Sequence, residues 1–233
     1  MGDGDERSLP RAPRWLIAAC AAGLSLFVLL VGAAMWWYPG GTWFDARAVG
    51  HTFWENFLCD LFHRRALNGV DNSRSALLAT VGTLLMFGAL AAFFTLVSLF
   101  DPRPRRSAKV TKVAGWLACA AGVAVPLTPS DRSRVGHLSA VLIACAPAIV
   151  ATGASVWLSV RAPVRRSITV LSLMTLGFGT IDAILYAIAF GVDARLDRLY
   201  LALPVFQRLA TLSLLGWVLA TLDEHVRRIR AAA

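Results

Sequence analysis

Six apolar runs alternate with short polar connections along the chain: 15–38, 76–100, 111–128, 138–160, 167–190 and 199–222. Most reach the roughly 20 residues that carry a helix across about 30 Å of hydrocarbon. The third is short, and Val110, Thr111 and Lys112 extend it while the lysine ammonium reaches back to the interface. The pattern predicts an all-α, polytopic integral membrane protein, with six transmembrane helices in one bundle covering 15–222 as a single domain. The polar stretch 1–14 reads as a disordered cytoplasmic tail, and 223–233 as a second cytoplasmic tail in which Asp223–Arg230 is a solvated helix end, its Arg227, Arg228 and Arg230 suited to anionic lipid headgroups. Ala114, Ala118 and Gly122 in the third run, and Ala140, Ala144 and Ala148 in the fourth, recur every four residues. Such stripes let helix backbones approach, so the third and fourth spans are expected to form a tight hairpin.

One connection departs from the pattern. Pro39–Ser75 is about 37 residues long, too long for a structureless link in a compact domain. Within it Phe53–Leu67 reads as an amphipathic helix, with Asn56, Asp60 and His63 on one face at i, i+4 and i+7, and Phe57 and Leu61 beside them. Asn68-Gly69 reads as a turn, and Asp71-Asn72-Ser73 as the N-cap of the second span. The segment is expected to form a lid, either flat on the interface or folded over the bundle.

Charge orients the bundle. Segments 1–14, 101–112, 161–166 and 223–233 hold fourteen Arg and Lys residues, and the alternate connections hold eight over a greater length. This bias puts both termini in the cytoplasm. Trp36, Trp37, Tyr38 and Tyr200 mark the outer ends of spans and Trp15, Trp116 and Trp157 the inner ends, as an interfacial belt requires. Asn56, Asp60, His63, Asn68, Asn72, Asp131, His137, Asp182, Gln207 and Arg208 then all fall in the outer half. They are the candidate ligand-binding residues. Asp182 and Arg208 each lie about nine residues, or roughly 13 Å, below the outer ends of adjacent antiparallel spans, which predicts an intramembrane ion pair flooring an outer cavity. Asp60 and His137 are expected to meet at that cavity's mouth.

Composition agrees with this picture: 57% hydrophobic residues, 16% charged and mean hydropathy +0.62. The net charge of +9 comes in short clusters between apolar runs, which argues against nucleic acid. Cys20, Cys119 and Cys145 sit within apolar runs and Cys59 stands alone, so no CxxC or Cys/His metal spacing arises. Neither GxSxG, HExxH, a P-loop nor GxGxxG is present. No cofactor or metal is implied, and oligomeric state is not legible.

Asn56-Phe57-Leu58-Cys59-Asp60-Leu61 with Asn68-Gly69 and Asn72, Pro129-x-Asp131 with His137, and Gln207-Arg208 together resemble a family of six-span bacterial membrane proteins catalogued as a domain of unknown function. Its architecture is similar to the DRAM/Frag/Sfk group of eukaryotic membrane proteins. The resemblance runs over roughly residues 15–222. It implies the six-span fold and the bacterial cytoplasmic membrane, without an activity. The eukaryotic group implies lipid handling, by analogy of fold alone.

Three functions compete. The first is binding of a lipid headgroup or small polar ligand in the outer pocket, with Arg208 drawing an anionic group. The second is hydrolysis of a lipid, with Asp60 and His137 as candidate catalytic residues activating water, with or without metal. The third is proton-coupled transport through Asp182, against which stands the lack of inverted-repeat symmetry.

Overall fold

In the computed structural model, which describes residues 12–101, 106–191 and 197–231, every regular element is helical. The helices are α1 (Arg14–Trp37), α2 (Ser73–Ser98), α3 (Arg106–Gly122), a short α4 (Ala124–Leu127), α5 (Arg134–Arg161), α6 (Arg166–Gly191) and α7 (Asp197–Ala231). Most of the expected tail 1–14, with Arg103, Arg105, Arg195 and the side chains of Arg198 and Tyr200, lies outside the described residues. Six helices, with α3 and α4 counted as one, are long and apolar enough to cross a membrane, so the chain is a multi-pass membrane protein. Among the described residues there is no strand, only two isolated bridges, Gly40–Val49 and Arg65–Asp71.

Proline explains the break in the third span. Pro126 cannot donate to the carbonyl of Gly122 four residues back, and its ring crowds that carbonyl. The ladder stops at Gly122 and resumes as the single turn of α4. Packing follows chain order around the bundle: α1 on α2, α2 on α3, α3 on α5, α5 on α6, α6 on α7, with α7 closing back on α1 and α2. Lipid offers no hydrophobic drive to helix pairing, so close approach matters. A Cβ on Gly23 would lie 2.9 Å from Ala89 Cβ, and one on Gly115 would lie 2.3 Å from Phe94 Cγ. The small-residue hairpin forms as expected, with Ala114, Ala118 and Ala140 buried. The lower core gathers around Trp217, whose ring meets Phe93 edge to face at 4.7 Å.

The chain termini share one end of the bundle, and residues 38–72 cover the other. At the terminal end α7 continues past Leu222 to Ala231, so Asp223–Arg230 is a helix end, packed in part rather than wholly solvated. Arg165 reaches Asp223 at 2.7 Å and Glu224 at 3.2 Å, and Arg228 reaches Glu224 at 2.8 Å. His225 is buried, stacks on Phe100 at 5.0 Å and touches the Leu96 carbonyl at 3.1 Å. These contacts hold the extra turns against the end of α2 and the α5–α6 connection. Ala12 is likewise buried against the core rather than part of a free tail.

The expected helix over Phe53–Leu67 is absent. Only a 3₁₀ turn, Leu58–Phe62, forms. The reason is local competition, because Asn and Asp offer the backbone partners other than a helical ladder. Asn56 Oδ1 accepts from Thr52 N–H at 2.9 Å, and Asp60 Oδ2 accepts from Phe57 N–H at 2.9 Å. The segment is nonetheless packed. Leu61, Phe62 and Ala66 bury against Phe27, Val31 and Ala79 of α1 and α2, and Phe57 buries with Tyr186 and Leu203 of α6 and α7. Gly41 and Gly69 take φ of +88° and +83°, and a Cβ on Gly41 would meet Asn68 N at 2.4 Å. It therefore folds over the bundle end as a cap.

Candidate functional site

Asp60 sits at the centre of the cap and is 2% exposed. Its Oδ1 accepts from Trp43 Nε1 at 3.1 Å, and its Oδ2 accepts from Asn56 Nδ2 at 3.1 Å and Phe57 N–H. Burial pushes the carboxyl above the usual carboxylate range, while the Asn56 bond, the nearby His63 and the Trp43 and Phe57 bonds pull it back. Asn56, fully buried, also donates to the Gly41 carbonyl at 2.8 Å. Asn56 and Asp60 thus bind the cap to itself instead of facing the outer ends of the spans. Burial also lifts the Cys59 thiol to about 12, which makes it a poor nucleophile.

Arg208 is 2% exposed and fastens this network to α7. Nε donates to the Phe53 carbonyl at 2.9 Å, Nη2 to the Asn56 carbonyl at 2.8 Å and Nη1 to Gln207 Oε1 at 3.2 Å. Gln207 Oε1 also accepts from Leu58 N–H at 2.8 Å. The expected Asp182–Arg208 ion pair is not formed. The two depths match, but the guanidinium reaches up to cap carbonyls that satisfy its fork, and no ion pair or hydrogen bond joins it to Asp182.

His63 turns away from Asn56 and Asp60. Its Nε2 lies 2.7 Å from Ser130 Oγ in the α4–α5 connection. Beside it Asp131 Oδ2 accepts from Arg64 N–H at 2.9 Å. Asn68 Oδ1 accepts from Val70 N–H, within the turn that Gly69 closes. Asn72 makes no side-chain helix cap, contrary to expectation: its Nδ2 donates to the carbonyls of Leu61 and His63, and Asp71 takes the Ser73 hydroxyl instead. His137 is buried with Nδ1 on the Thr128 carbonyl at 2.8 Å and Nε2 unpartnered. No hydrogen bond joins it to Asp60. Among the described residues no group of three His, Cys, Asp or Glu is placed to hold a metal.

Two spaces flank this network. A surface cleft of about 580 Å³ is lined by Trp43, Phe44, His63, Arg65, Ser130, Asp131 and Arg134. A cavity of about 320 Å³ lies inside the bundle, with Cys59 at the cap and Asp182, Gln207 and Thr211 among its walls. The single outer pocket expected from the sequence is thus two spaces. His63 and Asp131 go to the first, Asp182 and Gln207 to the second, and Asn56, Asp60, Asn68, Asn72, His137 and Arg208 to neither. Sequence reading missed Trp43, Ser130, Arg65 and Arg134. An indole in a polar connection was the one visible sign, since Trp donates from a single N–H and seeks an acceptor when covered.

No known protein family, curated protein or solved structure matches the chain.

Proposed function

We propose that the protein is a bacterial cytoplasmic-membrane protein with both termini in the cytoplasm, and that it binds the anionic headgroup of a membrane lipid, or a small anionic ligand, in the cleft beneath its outer cap. One observation carries the reading: the cleft of about 580 Å³ joins two guanidinium-bearing residues, Arg65 and Arg134, to His63 and to the aromatic rings of Trp43 and Phe44. Guanidinium groups bind phosphate through paired, charge-assisted hydrogen bonds. Aromatic side chains suit the headgroup level, where one end of a ligand is wet and the other apolar. The excess of basic residues in the segments of the terminal end supports the orientation. The similarity in architecture to the DRAM/Frag/Sfk group agrees with lipid handling, by analogy of fold alone.

The test is binding of phosphatidylglycerol against phosphatidylcholine in nanodiscs. Arg65→Gln and Arg134→Gln should each weaken phosphatidylglycerol binding about tenfold, near 1.4 kcal/mol, and leave the helical content unchanged. Equal affinity of wild type for the two lipids would sink the reading.

Lipid hydrolysis stands as the second reading, now on different residues. Ser130 Oγ lies 2.7 Å from His63 Nε2 within the same cleft, the geometry of a nucleophile and its base. Asp60 and His137, the pair expected from the sequence, line neither space. Labelling of Ser130 by a fluorophosphonate, lost in His63→Gln, would favour hydrolysis over simple binding.

A further inference from the structure

The cavity inside the bundle belongs to neither reading of the cleft. It is lined by residues of α2, α3, α4, α5, α6 and α7, with Cys59 of the 3₁₀ turn at its capped end. Small side chains open it, Ala144 and Ala148 from α5 among them, and its wall is mostly apolar. At about 320 Å³ it sits near the low end of ligand pockets, which run roughly 300–1,000 Å³. One narrow chain fits this space and a whole two-chain phospholipid does not.

Asp182 is the one charged residue in that wall among the described residues. It is half-buried on α6, and among the described residues no hydrogen bond or ion pair meets its carboxyl. Arg208, its expected partner, spends its donors on Phe53, Asn56 and Gln207. The threonine hydroxyls nearby are also engaged: Thr152, Thr175 and Thr211 donate to carbonyls of their own helices at 2.8 Å. Among the described residues the cavity therefore offers one carboxyl, a few neutral polar groups that include Gln207, Tyr186 and Thr180, no Lys, Arg or His, and otherwise apolar walls. A carboxyl at membrane depth ordinarily faces a partner or a functional cavity.

We propose that this cavity binds a single-chain amphiphile whose head donates a hydrogen bond to Asp182, namely a long-chain alcohol or a long-chain amine. An anionic head is disfavoured at the same place, because it would meet the Asp182 carboxyl while Arg208 is not in the wall. The apolar chain lies between Met86, Phe87 and Val141.

The test is photo-crosslinking in nanodiscs of dioleoylphosphatidylcholine with three diazirine-bearing probes of equal chain length: dodecanol, dodecylamine and dodecanoate. Crosslinks on wild type should map to Met86, Phe87, Val141, Ala144 and Ala148, with the alcohol or the amine exceeding the carboxylate about tenfold. Asp182→Asn separates the two heads: loss of the amine signal identifies a cationic head, and retention of the alcohol signal a neutral one. Ala148→Phe, with Ala144→Phe as a second filler, should cut cavity labelling about tenfold while circular dichroism stays that of wild type. Equal labelling by all three heads on wild type, or labelling confined to the outward-facing Ile143 and Ile184, would overturn the proposal.

Discussion

His51 shows what the cap asks of a single residue. Its Nε2 is buried without a partner, and its ring meets Tyr38 edge to face at 5.7 Å. Burial, and then the positive charge of Arg208, hold its pKa down at about 4. A folded-state value below the unfolded one means stability that is present above about pH 6.5 and is lost as the pH falls through about 4. The loss should be on the order of 1–3 kcal/mol between pH 7 and pH 4. Asp60 works in the opposite sense, since its raised value makes its charge a cost that grows as the pH rises. Hydrogen exchange of residues 40–66 in wild type and His51→Phe, compared at each pH, isolates the histidine. The wild-type to variant exchange ratio should climb on acidification, and a flat ratio would show that His51 is not the sensor. At this scale the sequence was half legible. Asn56 and Asp60 stood out as a close polar pair, and they do bond each other. Their remaining partners are backbone groups and a tryptophan seventeen positions away in the chain, which leave no mark in spacing.

Between elements, the join of cap to α7 decides how the far end of the bundle behaves. Arg208→Gln removes donors from the buried carbonyls of Phe53 and Asn56, each orphaned group costing about 1–3 kcal/mol. The expected result is fast hydrogen exchange over 52–58 with the helices still protected, because the lower core around Trp217 does not depend on the join. Slow exchange at 52–58 in this variant would show that packing of Phe57 and Leu61 holds the cap unaided. The six helices were readable from run length alone, since hydrocarbon thickness is a constraint that composition must obey. The cap was not. Its amphipathic period was real, yet the same Asn and Asp side chains that set the period compete for the backbone that a helix would use. Matching depth likewise placed Asp182 and Arg208 at one level. Depth says nothing about direction, and the longer side chain points away.

For the whole molecule, cations over indoles mark both boundaries. Arg74 Cζ lies 5.4 Å from the Trp37 ring at the capped end; Lys112 Nζ lies 5.4 Å from Trp116, and Arg161 Cζ 3.8 Å from Trp157, at the terminal end. Such pairs keep a charge at the headgroup level while its stem lies in lipid. The orientation proposed above predicts that, in a cysteine-free background, an impermeant maleimide labels Arg47→Cys on intact cells. It should label Arg230→Cys only after permeabilisation. The reverse pattern would invert the topology and move the cleft to the cytoplasm.

The join between Phe53 and Arg208 spans 155 positions of chain, and this has a consequence for synthesis. A ribosome adds roughly 5–20 residues per second, so the cap waits about 8–30 s for the guanidinium that closes it. During that interval the carbonyls of Phe53 and Asn56 have only water as donor. The last span to emerge therefore acts as a proofreader, since a chain stopped before Gln207 keeps an open end that a protease can enter. Ribosome-bound chains arrested at 206 should be cleaved between 50 and 60, and chains arrested far enough on to release α7 should resist. Equal cleavage of the two would mean that the end closes before its fastener arrives.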